Sequence, residues 1–336
     1  MLFSIIIPVY NRPDEVGELL ESLAAQSVKD FEVIIVEDGS TLPSRKVCQA
    51  WENQLDLRYF EKENGGPGPA RNFGAQHAKG RYLLILDSDV VAPENYIATV
   101  RAELQREDCD AFGGPDRAHA SFSPMQKAIN YAMTSFFTTG GIRGGKKKLD
   151  KFYPRSFNMG CKRDIYTALG GFAPMRFGED IDFSTRIFEQ GYSCRLMPDA
   201  WVWHKRRTDL RKFFRQVHNS GIARIHLSRR HPGTLKTVHL LPAAFTLGTA
   251  FCLVLGASGA LLFPSACLFL FPLLLFSLLI LVDAAWRERS LKVGILAVAA
   301  AYVQLIGYGS GFLRAWWHSS VCKKGEFEAF KDTFYK

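Results

Sequence analysis

The 336-residue chain has seven cysteines and no C-x-x-C pair among them. An odd count without paired spacing argues against a disulfide framework and reads as reduced, mostly buried thiols. No basic n-region precedes the first apolar run, and Met1–Pro8 is too short for a signal peptide. That run reads as a first strand, so the N-terminal domain is expected to stay in the cytosol. No internal repeat and no low-complexity tract interrupts the chain. The most telling absence is of charge. From Val238 to Val282 there are 45 residues without Asp, Glu, Lys or Arg, and from Val293 to Leu313 another 21. A bilayer core needs roughly 20 apolar residues per helix, so the first stretch suffices for two spans and the second for one. A buried hairpin of a soluble protein is the bland alternative; the expectation is a membrane protein with a soluble N-terminal domain. Because these stretches carry no Asp, Glu, Lys or Arg to line a path, they do not read as a transporter or channel.

The net charge of +9 is localised. Ten Lys or Arg face a single Asp between His204 and Lys236. Such a segment immediately before a membrane span meets anionic headgroups and keeps its side cytoplasmic; nucleic acid is the other customary partner and is not expected here. Leu210–His226 reads as a basic amphipathic segment, with Phe213, Phe214, Val217, Ile222 and Ile225 on its apolar side. The expected organisation is a soluble N-terminal domain over 1–207 and an interfacial segment over 208–236. Membrane helices follow within 237–315 (238–260, 264–283 and 293–313), then a tail over 316–336. A third full span would put Arg314, Lys323, Lys324, Lys331 and Lys336 opposite the basic segment, against the positive-inside tendency. Either the tail is an exception or the third stretch does not cross fully; three spans is the working expectation.

The first 90 residues alternate strand-like runs (Phe3–Pro8, Glu32–Glu37, Leu57–Phe60, Tyr82–Leu86) with helical patterns (Glu15–Ala25, Ser44–Trp51, Pro69–Ala78). This βαβα order predicts an α/β fold with a parallel sheet, helices on both faces and a ligand crevice at the C-terminal strand ends. Gly140–Gly145 followed by Lys146-Lys147-Lys148 reads as a mobile basic loop. Ala111–Arg117 and Ser156–Cys161 are read as specificity loops.

The unusual motifs fall at those strand ends. Pro8-Val9-Tyr10-Asn11-Arg12-Pro13 closes the first strand and Val36-Glu37-Asp38-Gly39-Ser40 the second. Gly66-Pro67-Gly68-Pro69-Ala70-Arg71-Asn72 follows the third. Its glycines allow close backbone approach, and a helix N-terminus with Arg71 favours a phosphate; no G-K-[ST] follows, so it is not a Walker loop. Asp87-Ser88-Asp89 ends the fourth. Two carboxylates one residue apart at the mouth of a parallel sheet suit a hard divalent cation that itself holds a diphosphate. Together these elements describe a nucleotide-diphosphate site with a bridging metal.

On these motifs the chain resembles the inverting, GT-A-fold glycosyltransferases of family 2, including those with C-terminal membrane helices. The shared pattern covers about residues 3 to 207. The resemblance implies that Asp38 contacts the nucleobase and that Arg71 lies near the nucleotide. Asp87 takes the ribose or metal side, and Asp89 the Mg2+ or Mn2+ ion. Pro8, Tyr10, Asn11 and Ser88 complete the nucleotide site. It further implies that Phe177-Gly178-Glu179-Asp180-Ile181-Asp182 is the family's G-E-D-x-D segment, with Asp180 as catalytic base and Glu179 as the alternative. An inverting transfer needs such a carboxylate opposite the leaving diphosphate. His204, ending Trp201-Val202-Trp203-His204, is a third metal ligand or a structural histidine. The Q-x-x-R-W motif of processive members is missing: Phe214-Arg215-Gln216-Val217-His218-Asn219 stands in its place without the Trp. The implied activity is therefore one sugar addition from a UDP-, GDP- or dTDP-sugar to a membrane-associated, polyprenyl-linked acceptor in surface polysaccharide assembly. The implied location is multi-pass in the inner or plasma membrane, with the catalytic domain cytoplasmic. A polyprenyl-phosphate monosaccharide synthase is the alternative enzyme, and a non-catalytic sugar-nucleotide-binding membrane subunit the alternative of another class.

Overall fold

The computed structural model describes residues 1–117, 122–139, 152–175, 177–262 and 264–325. The chain divides into two compact units. The first holds the described residues 1–117 and 152–205, and the second 122–139 and 206–325. The expected Gly140–Lys148 loop lies outside the described residues.

Unit one opens with β1 (Phe3–Val9), α1 (Pro13–Ala24), β2 (Phe31–Asp38), α2 (Arg45–Gln49), β3 (Leu57–Lys62), α3 (Pro67–His77) and β4 (Tyr82–Leu86). It continues with β5 (Val90–Val91), α4 (Tyr96–Arg106), β6 (Ala111–Gly113) and β7 (Asp116–Arg117). Within unit two lie α5 (Pro124–Thr134) and α6 (Phe136–Thr139). Unit one resumes with β8 (Asn158–Lys162), α7 (Arg163–Ala168), α8 (Glu179–Glu189), β9 (Cys194–Leu196) and β10 (Val202–His204).

The main sheet runs β3-β2-β1-β4-β8-β6-β9. The first four strands are parallel, and β8 is antiparallel to both β4 and β6. Strands covered on both faces read as near-continuous apolar runs, and β1, β2 and β4 supply them, with buried Ser4 and Glu32 hydrogen-bonded to each other. Ile5, Ile7, Val33, Ile35, Leu84 and Leu86 face one core with Val16, Leu19 and Tyr96. Ile6, Ile34, Val36, Leu83 and Ile85 face the other with Ala70, Phe172 and Phe183. Gly74 lets α3 lie close on that second face: a Cβ there would come within 2.6 Å of the Ile6 Cγ2 atom. The order 3-2-1-4 places the crevice between β1 and β4, where successive connections diverge to opposite sides. The expected specificity loops are in large part strands. Ala111–Gly113 and Asn158–Lys162 pair with each other inside the sheet. Their runs are short and carry Gly113 and Gly160, so no period-2 signal marks them.

A second sheet, β5-β10-β7, is small but decisive. Its register sets His204 opposite Val90 and Val202 opposite Asp116. A histidine more than a hundred residues from the D-x-D pair is thereby brought beside it.

Unit two is helical: α5, α6, α9 (Leu210–Arg230), α10 (Leu241–Leu262), α11 (Phe271–Glu288) and α12 (Leu291–Trp316). Among the described residues, three helical segments, Thr237–Gly256, Leu268–Glu288 and Leu291–Val321, are long and apolar enough to cross a membrane. The apolar side of α9, with Phe213 and Val217, shares one core with Ala297, Ala300 and Ala301 of α12 and Ala128, Ile129 and Ala132 of α5.

Candidate active site

The candidate site is assembled at the C-terminal ends of β1, β2 and β4, as a parallel sheet dictates. Asp87, Asp89 and His204 each offer a ligand atom, and these atoms lie within 4.8 Å of one another. His204 Nε2 is 3.2 Å from Asp89 Oδ1, and its ring stacks on Phe157 at 4.9 Å. The His204 Nδ1 atom is buried without a hydrogen bond, 4.0 Å from Asp116 Oδ2. Two carboxylates and an imidazole form a donor set that fits Mg2+ or Mn2+.

Arg12, the residue that caps α1, donates to Asp89 Oδ2 at 2.7 Å. Burial works against its charge, yet Asp89 together with Glu15 and Asp87 raises its pKa above the ordinary value. Asn11, preceding it, adopts a left-handed backbone (φ 53°) and accepts from the Leu42 N–H at 2.8 Å. The end of β1 is thus tied to the loop after β2. Pro8 lies within β1 and Tyr10 directly after it, while Ser88 is buried between the two acidic residues.

Asp38 ends β2 and is 1% exposed. Its Oδ1 accepts from Lys62 Nζ at 2.7 Å and the Gly65 N–H at 2.9 Å, and its Oδ2 from the Gly66 N–H at 2.7 Å. The carboxylate therefore shapes the glycine turn that starts α3. An open cleft of about 490 Å3 lies alongside, lined by Glu37, Gly39, Ser40, Glu61 and Lys62. A larger cavity, about 1210 Å3, is lined by Met1, Lys79, Arg81 and Lys162 at the other end of the strands, away from these carboxylates.

Arg71, in α3, is buried and bridges two elements. It donates to Asp87 Oδ1 at 2.8 Å and to Glu179 Oε1 at 2.9 Å. Its guanidinium sits 5.2 Å from the centre of the Phe172 ring. Burial opposes the charge, but Asp87 and Glu179 outweigh it and raise the pKa further. Glu179 and Asp180 open α8, whose N-cap Gly178 takes φ 83°. Three acidic residues in the first turn suit the positive end of the helix. Burial pushes the Glu179 carboxyl above the usual carboxylate range, Arg71 opposing and the Asp180 charge adding to the rise. Asp180 Oδ2 instead faces Arg155, whose Nε is 2.9 Å away.

The loop before α8 is held by Asn72. Its Oδ1 accepts from the Tyr166 hydroxyl at 2.6 Å and the Phe172 N–H at 2.8 Å, while its Nδ2 donates to Phe172 O at 2.8 Å. Arg186 donates to Leu169 O and Gly171 O from the other side, at 2.6 and 2.7 Å, and pairs with Asp182.

The structure thus gathers Asp87, Asp89 and His204 into one cluster and links Asp87 through Arg71 to Glu179. Asp38 stands apart at the glycine turn. Sequence reasoning passed over Arg155, Asn72 and Asp116 as functional residues. Asn72 sat within a quoted motif and Asp116 within a presumed loop. Arg155 belongs to no motif, and only the tertiary pairing with Asp180 marks it.

Comparison with known proteins adds four findings. Residues 4–170 match Glycosyl transferase family 2. The chain is 37% identical over 115 residues to Glycosyltransferase GlyG of Streptococcus pneumoniae, which is 34% of this chain and 38% of that protein. It is 44% identical over 141 residues to an uncharacterized glycosyltransferase of Rickettsia felis, 41% of this chain and 22% of that protein. The chain therefore spans well under half the length of both relatives. Among solved structures, the mannosyltransferase PcManGT from Pyrobaculum calidifontis, in complex with GDP-Man and Mn2+, superposes with a TM-score of 0.66 at 19% identity. That match covers 94% of this chain and 87% of the other, and is a likeness of fold.

Proposed function

The chain belongs to glycosyl transferase family 2 through residues 4–170, and from that premise we propose a membrane-bound, metal-dependent, inverting glycosyltransferase. It would move one sugar from a nucleotide-sugar donor to a membrane-associated, polyprenyl-linked acceptor. The observation that carries the reading is the Asp87–Asp89–His204 cluster joined through Arg71 to the start of α8. One charged network then spans donor side and acceptor side.

Asp87, Asp89 and His204 would hold the divalent ion. A bound Mg2+ or Mn2+ supplies positive charge to a departing nucleoside diphosphate. Arg12 orients Asp89, and Asp38 shapes the glycine turn beside the cleft at Glu37 and Lys62, which would take the base. Glu179 is committed to Arg71 and acts as a positioning group. Asp180, facing Arg155, is the base that takes the acceptor hydroxyl's proton as the sugar's anomeric carbon is attacked from the opposite face. The family chemistry then implies a β-linked product from an α-linked donor. The three apolar helices and the basic segment from Lys205 to Lys236 favour an acceptor presented at the bilayer.

Donor turnover by the full chain in nanodiscs tests this. UDP-, GDP- and dTDP-sugars are screened with a lipid extract and Mn2+ or EDTA, beside Asp180→Asn. Release of one nucleoside diphosphate that needs metal and is lost in the variant supports the transferase. Donor binding with no turnover under any acceptor would point to a binding subunit instead.

A further inference from the structure

The third apolar helix is not like the other two. In α10 and α11 the large apolar side chains point outward: Leu247, Phe251 and Leu253 on one, Leu274, Leu278 and Val282 on the other are exposed. In α12, by contrast, Ala299 is the sole exposed residue between Leu296 and Leu313. Helices of the same unit cover it, and its glycines let them approach closely. A Cβ on Gly311 would fall 1.9 Å from His218 O of α9, and one on Gly309 2.3 Å from Pro242 O of α10. On Gly294 it would meet Leu281 O of α11 at 2.8 Å.

Which helices cover α12 decides where it can lie. Along its C-terminal half runs α9, in the same direction. Val217 packs at Gly307, His218 Nδ1 is 3.1 Å from Ser310 Oγ, and Arg229 donates to Ser319 O at 2.8 Å. Six Lys or Arg belong to α9, from Arg211 to Arg230. Were α12 to cross the bilayer, α9 would be carried to the same depth, and basic side chains at bilayer depth are among the costliest placements.

Along the N-terminal half lies α5, in one core with Ala297, Ala300 and Ala301. It is a helix of 11 residues, about 16 Å long, within a departure over 120–149 from which the chain returns to the sheet unit. Two helical crossings need roughly 20 apolar residues each, more than that stretch holds, so α5 stays on that unit's side of the membrane. Its Tyr131 hydroxyl donates to Asp283 Oδ2 at 2.6 Å, which fixes the C-terminal end of α11 on the same side.

We propose that α12 does not cross the bilayer. It lies in the interface on the catalytic unit's side, and the α10–α11 hairpin alone enters the hydrocarbon and returns. The basic residues in and after the last turn of α12, Arg314, Lys323 and Lys324, then share a side with the basic segment before α10, as the positive-inside tendency requires. The proposal rests on the membrane placement proposed above, not on the transferase chemistry.

Cys322 is exposed and supplies a native probe. The full chain is labelled with a membrane-impermeant maleimide in sealed vesicles of both orientations, and the sites are mapped by mass spectrometry. A thiol introduced by Glu52→Cys reports the catalytic unit. Labelling of both positions in the same orientation is expected. Labelling in opposite orientations overturns the proposal. Trypsin with an epitope after Lys336 gives a second reading: the epitope is lost in the orientation in which the catalytic unit is cut, and its loss in the other alone again overturns the proposal. If the chain leaves the membrane in an alkaline wash, the membrane premise fails and the proposal with it, a result distinct from an inverted tail.

Discussion

Arg71 and Glu179 stand 108 positions apart in the chain, and their side chains meet at 2.9 Å. The same guanidinium reaches Asp87 at 2.8 Å. A planar donor fork can hold two carboxylates at once in fixed geometry, which an ammonium cannot. The link explains how the strand end that carries the D-x-D pair and the start of α8 keep their spacing.

Removing that fork leaves two acidic groups facing one another. Breaking a buried pair by deleting one partner costs ~3–5 kcal/mol. Arg71→Met is expected to lower the thermal midpoint of the protein in detergent and to abolish turnover. Arg71→Lys should recover part of the midpoint and little of the rate. A wild-type midpoint in Arg71→Met would sink the bridging role.

The cluster of Asp87, Asp89 and His204 makes a graded prediction. Asp89→Asn removes a ligand carboxylate and the partner of Arg12, and turnover should fall by roughly 10²–10³. His204→Ala should act through affinity: the Mn2+ concentration for half-maximal rate rises about 10–100-fold while saturating metal restores much of the rate. Equal Mn2+ titrations for His204→Ala and the parent would make His204 a structural residue.

The two neighbouring acids of α8 separate by role. Asp180→Asn should cut turnover by about 10²–10⁴ with donor affinity unchanged. Glu179→Gln weakens the Arg71 bridge, so it should lower the thermal midpoint and reduce the rate less. The reverse pattern, with Glu179→Gln inactive and Asp180→Asn active, would transfer the base to Glu179.

Acid sensitivity follows from a buried carboxylate far from the site. Glu32 accepts from Ser4 Oγ at 2.6 Å and the Lys79 N–H at 2.7 Å, and pairs with Arg58. Burial alone would raise its pKa, but these donors outweigh it and hold it below the ordinary value. A depressed folded value means the unfolded chain binds the proton more tightly. Its contribution is therefore full above the ordinary glutamate range and is lost as pH falls through the depressed value. Glu32→Gln should cost ~1–3 kcal/mol at neutral pH and flatten the decline of the thermal midpoint in acid. A variant curve parallel to the parent's throughout would show that Glu32 does not set that decline.

Much of this protein was determined by local sequence. Short, nearly unbroken apolar runs such as Phe3–Pro8 and Tyr82–Leu86, too short for helices of their own, read as strands buried on both faces. Their alternation with helical periods dictates a parallel sheet, and the sheet dictates that Asp38, Arg71, Asp87 and Asp89 come to one edge. Long uncharged stretches likewise announce helices for an apolar medium. Tertiary structure alone decided the rest, because it depends on side chains that meet across distance. Nothing near Arg155 signals that it will face Asp180, and nothing near His204 that a two-residue pairing with β5 will set it beside Asp89. Hydropathy could not tell α12 from α10 and α11, since apolar composition records burial without saying whether lipid or protein provides it. The proposed difference rests on which helices lie against it, basic α9 at its glycines and short α5 in one core with its alanines.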